Sequence, residues 1–233
     1  MNLLAFESSA KAASVAVFSD GELLGEQYRN DGLTHSQTLL PMAQQLLQDC
    51  NLQVADIDAV AVAAGPGSFT GVRIGVAAAK GFAWGAQIPC YGVSTLESMA
   101  RQMKEFEGYI LPVMDARRQQ VYTALFEAAN GTISRLWEDQ AISLEQLAEG
   151  IKTLQKPIFL VGDGSILCYN ALKEAFPGLV LQPEDKMHQR SRGVGLAALA
   201  AIANGAEGDA AALTPNYLRL SQAERERLER LQK

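Results

Sequence analysis

The sequence predicts an α/β protein made of two successive units, each with the element order βββαβαβα. Three observations predict it. Apolar runs of strand length recur near 2–6, 59–64, 109–114 and 157–161. Two hairpin signals, Asp20-Gly21 and Asn130-Gly131, each follow one alternating run and precede another. Stretches of helical period separate the later strands of each half.

In order, Asn2 to Phe6 reads as a short buried strand ending at Glu7-Ser8-Ser9. Ser14 to Phe18 alternates, Asp20-Gly21 turns it, and Glu22 to Arg29 returns. From Thr34, a plausible N-cap, the spacing predicts a helix with Leu39, Leu40, Ala43, Leu46, Leu47 and Cys50 on one stripe. Pro41 lies inside that pattern and removes one intrahelical bond, so a kink or a separately held first turn is expected. The run 59–64 reads as a buried strand, and a helix of small residues starts near Ser68 or Thr70. Ile88 to Val93 is a strand, and Ser94-Thr95-Leu96-Glu97 has the capping-box form before a helix to about Lys104.

The order then repeats. Tyr109 to Met114 is apolar and ends at Asp115, and Gln120 to Glu127 alternates. Thr132 to Trp137 returns after Asn130-Gly131, and Ser143-Leu144-Glu145-Gln146 caps a helix to about Ile151. Pro157 to Val161 is a strand, and Gly162-Asp163-Gly164-Ser165 opens a helix through Phe176. Leu179 to Leu181 is strand-like, and Gly193 to Asn204 is an Ala-rich helix. Residues 1–106 and 107–213 are read as two subdomains. Residues 214–233 are read as a tether and a charged terminal helix, with the tether free to pack back on the first subdomain. Duplicated units of this order are the layout of the actin/hexokinase/Hsp70-like (ASKHA) fold.

Composition narrows the function. The 233 residues carry 26 acidic and 20 basic side chains, a net charge of −6, which argues against an autonomous nucleic-acid binder. No apolar run has transmembrane length, and the start lacks the pattern of a signal peptide. Three widely spaced cysteines fit reduced thiols in a cytoplasm, and two histidines exclude a histidine-rich metal site. A cytoplasmic globular protein is expected.

The stretch Gly65-Pro66-Gly67-Ser68-Phe69-Thr70-Gly71-Val72-Arg73-Ile74-Gly75 looks at first like a phosphate loop. It matches neither the Walker A spacing nor the dinucleotide fingerprint. What it has is Gly67, Gly71, Gly75 and Ala79 at steps of four, a small helical face that lets another backbone come close. Internal packing and a protein contact surface both remain open for that face. Elsewhere, Glu7, Ser8, Asp115 and Arg117 are weak candidates for phosphate or metal contacts at the two strand ends. Gly162 to Ser165 is a weak candidate for a nucleotide-base pocket. A carboxylate at a strand end more commonly bonds its own turn. His35, one residue after the N-cap, is read as a capping or interface residue rather than a base, since no partner positions it.

The glycine stretch, continued by Ala79-Lys80-Gly81, resembles the signature of the TsaB family, also called YeaZ. Glu7-Ser8-Ser9, His35-Ser36-Gln37 with Leu39-Leu40-Pro41, Asp115-Ala116-Arg117-Arg118 with Val121-Tyr122, and the Pro215 to Arg219 tether resemble it too. The resemblance spans nearly the whole chain. It implies a non-catalytic subunit for making N6-threonylcarbamoyladenosine in tRNA beside the anticodon. Its implied partner is the TsaD-type catalytic paralogue, which holds a metal with paired histidines absent here. The same resemblance implies a TsaE-type ATPase, a TsaC-type enzyme supplying the adenylate, ATP used by the complex rather than by this chain, tRNA reached through the complex, and no membrane. Glu7 stands where aspartate is common at the first strand end, which weighs against independent ATP use.

The expected docking surface combines the helix from Thr34 with the glycine-faced helix, through His35, Leu39, Met42, Leu46, Gly71, Arg73, Gly75 and Ala79. It is also expected to pair two copies of the chain when the paralogue is absent. On that reading Gly75→Leu leaves the monomer folded and abolishes partner binding. The alternative is an ATP-binding or ATP-hydrolysing enzyme on the same fold.

Overall fold

The computed structural model describes residues 1–219 and Arg230. The first unit runs β1 (Asn2–Glu7), β2 (Ala13–Ser19), β3 (Glu22–Arg29), α1 (His35–Asp49), β4 (Ala59–Gly65), α2 (Phe69–Ala86), β5 (Cys90–Ser94) and α3 (Thr95–Arg101). The second runs β6 (Gly108–Asp115), β7 (Gln120–Ala129), β8 (Thr132–Ser143), α4 (Leu144–Ile151), β9 (Ile158–Val161), α5 (Ser165–Leu172), β10 (Leu179–Leu181), α6 (Glu184–Met187) and α7 (Ser191–Ala203). The first sheet has the order β3-β2-β1-β4-β5 and the second β8-β7-β6-β9-β10, the same topology twice. In each, the first three strands are antiparallel and the last two run parallel to the first. Helix α6 and a 3₁₀ turn at Val54–Asp56 have no counterpart in the sequence reading. The charged terminal helix expected after Ser221 lies outside the described residues, Arg230 excepted.

Local chemistry explains the hinges between elements. Both hairpins turn on residues of positive φ, Asp20 and Gly21 in one and Asn130 and Gly131 in the other, as a tight two-residue turn requires. Ser68 caps α2 by accepting from the Gly71 N–H at 3.3 Å, and Ser94 does the same for α3 from Glu97 at 3.1 Å. Ser143 and Gln146 form a reciprocal capping box. Thr34 is the N-cap of α1, but its hydroxyl donates to the Gln37 side chain instead of accepting from the helix. The helix continues through Pro41 as one element.

Four apolar clusters form the core. Helices α1 and α2 bury Leu39, Met42, Leu46, Val72 and Val76 on one face of the first sheet. Its other face is covered by α7, through Val194, Ala197 and Ala198. Helix α3, which ends the first unit, packs its Leu96, Met99 and Ala100 on the second sheet. Each unit therefore hands its final helix to the other, and division at residue 106 does not separate two self-sufficient cores.

The clasp for this exchange is Glu26 on β3. Its carboxylate accepts from the backbone N–H of Arg192 at 3.0 Å and from Arg192 Nε at 2.6 Å, while Arg190 approaches at 3.3 Å. The Ser191 N–H donates to Ser14 Oγ at 2.9 Å. Two first-unit side chains thus satisfy the open amides that begin α7. Glu26→Ala is expected to lower stability by about 2–3 kcal/mol, because it strips the cap and leaves Arg190 without its carboxylate. Urea unfolding checks this as a lower midpoint with an unchanged slope.

Candidate functional site

The predicted residues divide between the region of the cleft between the units and helices α1 and α2, where most of them turn inward. The cleft is a cavity of about 860 Å³ floored by the β1–β2 turn and the β6–β7 turn. Ser9, Lys11, Asp115, Arg117 and Asp163 line it, and Tyr217 and Arg219 of the tether cross it. Residues Arg117, Arg118 and Gln119 all have positive φ, +65°, +55° and +58°, which costs a non-glycine residue about 1 kcal/mol each. The turn is held by the Arg117 N–H donating to Asp115 Oδ1 at 2.7 Å and by Arg219 donating to the Ala116 carbonyl.

Glu7 and Ser8 are elsewhere. Both are buried below the β1–β2 turn and are not in the cleft wall. Glu7 Oε1 accepts from the Ser9 N–H at 2.6 Å, while Oε2 is buried with no partner. Ser8 Oγ donates to the Gly71 carbonyl at 2.9 Å. These two weak ligand candidates thus lie outside the cleft wall, with Ser8 Oγ and one Glu7 oxygen in local bonds. Asp115 and Arg117 do reach the cleft. Asp163, within the 162–165 stretch read as a weak candidate for a nucleotide-base pocket, also faces it. Gln189 donates to it at 3.3 Å, and burial holds its carboxyl above the usual carboxylate range.

Burial pushes Glu7 up to about 7, against the opposing Ser9 bonds. The folded state thus binds a proton that the unfolded chain has released between pH 4.5 and about 7. Stability is expected to fall as pH rises through that window, by up to about 3 kcal/mol. Glu7→Gln is expected to flatten this slope, matching the parent at pH 5 and exceeding it at pH 8 in urea unfolding.

On the helices, the structure reverses the expected faces. Leu39, Met42 and Leu46 are 1%, 4% and 4% exposed and fill the first sheet's own core. Gly71, Gly75 and Ala79 are buried too. A Cβ on Gly71 would overlap the Ser8 carbonyl oxygen, and one on Gly75 would overlap Ser8 Oγ. The small face of α2 accommodates the chain's own β1–β2 turn, so it is not offered to a partner, and Gly75→Leu is expected to damage the fold. His35 is half-buried, with Nε2 2.9 Å from the Ala10 carbonyl. Of the eight expected docking residues, Arg73 alone is fully on the surface.

The outward side of α2 is the opposite one, where the C-terminal segment bonds to Arg73 and Lys80 and leaves Trp84 exposed. Arg73, Ala77, Lys80 and Trp84, at steps of four, three and four, form one stripe, with Gly81 beside it. Trp84 is 72% exposed and walls an apolar groove of about 460 Å³ with Ile88, Pro89 and Ala210. Nothing lies within 4 Å of a Cβ built on Gly81 or Gly85. Helix α1, packed beside α2, adds Leu40 at 47% exposed, with Leu33 at 53% just before it. A tryptophan beside open glycines allows a second helix to approach closely and bury an aromatic anchor. Helix periodicity contains this signal, but the glycines at steps of four point to the opposite side, which is buried.

Comparison with known proteins decides the lineage. The chain is 33% identical over 230 residues, 96% of each chain, to the tRNA threonylcarbamoyladenosine biosynthesis protein TsaB of Bacillus subtilis. The chain belongs to the TsaB family. A TsaB of Escherichia coli is 36% identical over 185 residues, covering 78% of this chain and 79% of its own. The solved structure of YeaZ from Pseudomonas aeruginosa superposes with a TM-score of 0.76 at 27% identity, covering 93% of this chain and 99% of that one. The family model described as TsaD, tRNA N6-adenosine threonylcarbamoyltransferase, matches residues 32–227. The TsaB chain and the TsaD model therefore share sequence features across most of both units, and the fold is the duplicated actin/hexokinase-like one. Among the described residues no helix is long and apolar enough to cross a membrane.

Proposed function

We propose that this chain is the non-catalytic subunit that binds and activates a TsaD-type paralogue in forming N6-threonylcarbamoyladenosine in tRNA. The observation that carries this reading is the outer stripe of α2, where an exposed Trp84 stands beside glycines with open space above them. The paralogue is favoured as occupant because its family model matches 32–227 of this chain. Two proteins of one fold present equivalent helix pairs, and such pairs meet about a pseudo-twofold axis. The same geometry pairs two copies of this chain when the paralogue is absent.

In this scheme ATP turnover belongs to a TsaE-type subunit, and a TsaC-type enzyme supplies the activated threonylcarbamoyl group. The chain's own cleft supports the non-catalytic role. Glu7 and Ser8 lie below the turn and outside the cleft wall, and Tyr217 and Arg219 cross the mouth. With a net charge of −6, the chain is expected to meet tRNA through the complex.

Co-expression with a TsaD-type protein, followed by mass measurement, is expected to give a complex containing both chains. Omitting this chain from a reconstituted tRNA-modification assay is expected to reduce product at least about 10-fold. Full modification without it would remove the activating role.

A further inference from the structure

Arg73 and Lys80 stand on the outer stripe of α2, and both are occupied by the chain's own C-terminal segment. Lys80 Nζ donates to the Leu213 carbonyl at 2.8 Å and to the Ala211 carbonyl at 3.2 Å. Arg73 Nε donates to the Tyr217 hydroxyl at 2.7 Å, and its guanidinium lies 3.9 Å from the centroid of Phe69, which stacks on Tyr217. Between these points the Asn216 N–H donates to the Ala64 carbonyl at 2.6 Å. The segment then crosses to the second unit, where Arg219 donates to Ala116 beside the left-handed turn 117–119. Residues 211–219 thus form a strap, fastened to α2 at one end and to the β6–β7 turn at the other.

The fastening on α2 is chemically incomplete. Among the described residues, Arg73 and Lys80 pair with no carboxylate; their acceptors are neutral carbonyl and hydroxyl oxygens. A carboxylate adds the attraction of a full opposite charge, and with Arg73 a second parallel bond, neither of which a neutral oxygen supplies. A protein seated on this stripe with acids opposite the two cations would therefore outcompete the strap.

We propose that the partner docking on α2 carries carboxylates opposite Arg73 and Lys80, and that their capture releases the strap and unfastens the 117–119 turn across the cleft. This rests on the docking reading above and adds its partner chemistry and its consequence. Because coupling between two competing contacts is reciprocal, weakening the strap must strengthen docking.

The test is amide hydrogen exchange of the full chain, alone and saturated with a TsaD-type protein. The Asn216, Ala116 and Gln120 amides, hydrogen-bonded in the free chain, are expected to exchange at least about 10-fold faster in the complex, while β1 amides are unchanged. Tyr217→Ala is expected to bind the partner about 5-fold tighter than the parent, and Arg73→Gln with Lys80→Gln at least about 10-fold weaker. A complex that forms with those amides equally or better protected overturns the strap proposal and leaves docking intact. Absence of any complex by mass overturns docking, and with it the releasing agent the proposal names.

Discussion

Gly71→Leu is expected to yield no folded protein. A Cβ at this position already overlaps the backbone carbonyl of Ser8, and that carbonyl cannot swing aside as a side chain would. Ser8 is fixed in turn by its hydroxyl bond to the Gly71 carbonyl and by the β1 ladder that ends beside it. Moving α2 away from the sheet would open the cluster around Val72, Val76 and Ala79. The cost is expected to exceed about 5 kcal/mol, comparable with the whole stability of a domain. Gly71→Ala is expected to cost about 3 kcal/mol, readable as a lower urea midpoint. A Gly71→Leu protein with parent-like unfolding would show that α2 does not seat on Ser8.

Trp84→Ala is expected to behave in the opposite manner, folding normally and losing the partner. The side chain is 72% exposed, so its removal costs the isolated chain little. At an interface it would be the largest apolar anchor on the α2 stripe, and such anchors commonly contribute 2 kcal/mol or more. A loss of at least about 30-fold in affinity for the TsaD-type protein is expected at unchanged melting temperature. Affinity within about 3-fold of the parent would move the interface off this helix.

The two predictions mark what the sequence could and could not say. Period and turn chemistry were enough for the fold. Asp20-Gly21 and Asn130-Gly131 placed the hairpins, and the apolar runs at 59–64 and 109–114 placed strands that are buried along nearly their whole length. The order of elements then carried the duplication, because sheet topology follows connection order. The exchange of α3 and α7 between units was not legible. Nothing in an amphipathic stripe says which of two sheets will receive it.

The site was legible in part, and for a related reason. A helix with one strong apolar stripe gives it to its own sheet first, so Leu39, Met42 and Leu46 were lost to the core. The step-of-four glycines did signal close backbone approach, but the approaching backbone is the chain's own at Ser8 and Ser9. What remains for a partner is the less conspicuous side: Arg73, Ala77, Lys80, Gly81 and Trp84. The cleft shows the same limit. Asp115 and Arg117 reach it, as does Asp163 of the 162–165 candidate, but Arg219 arrives from a distant segment that only the folded chain brings there.

The docking surface on α2 is tested most directly at Gly81. Leucine there meets open space in the free chain and replaces a helix-interior glycine, so the monomer is expected to keep or slightly raise its melting temperature. Titration calorimetry against the TsaD-type protein is expected to show saturable binding for the parent and no measurable heat for Gly81→Leu. A folded Gly81→Leu chain that binds within about 3-fold of the parent would contradict docking on this face.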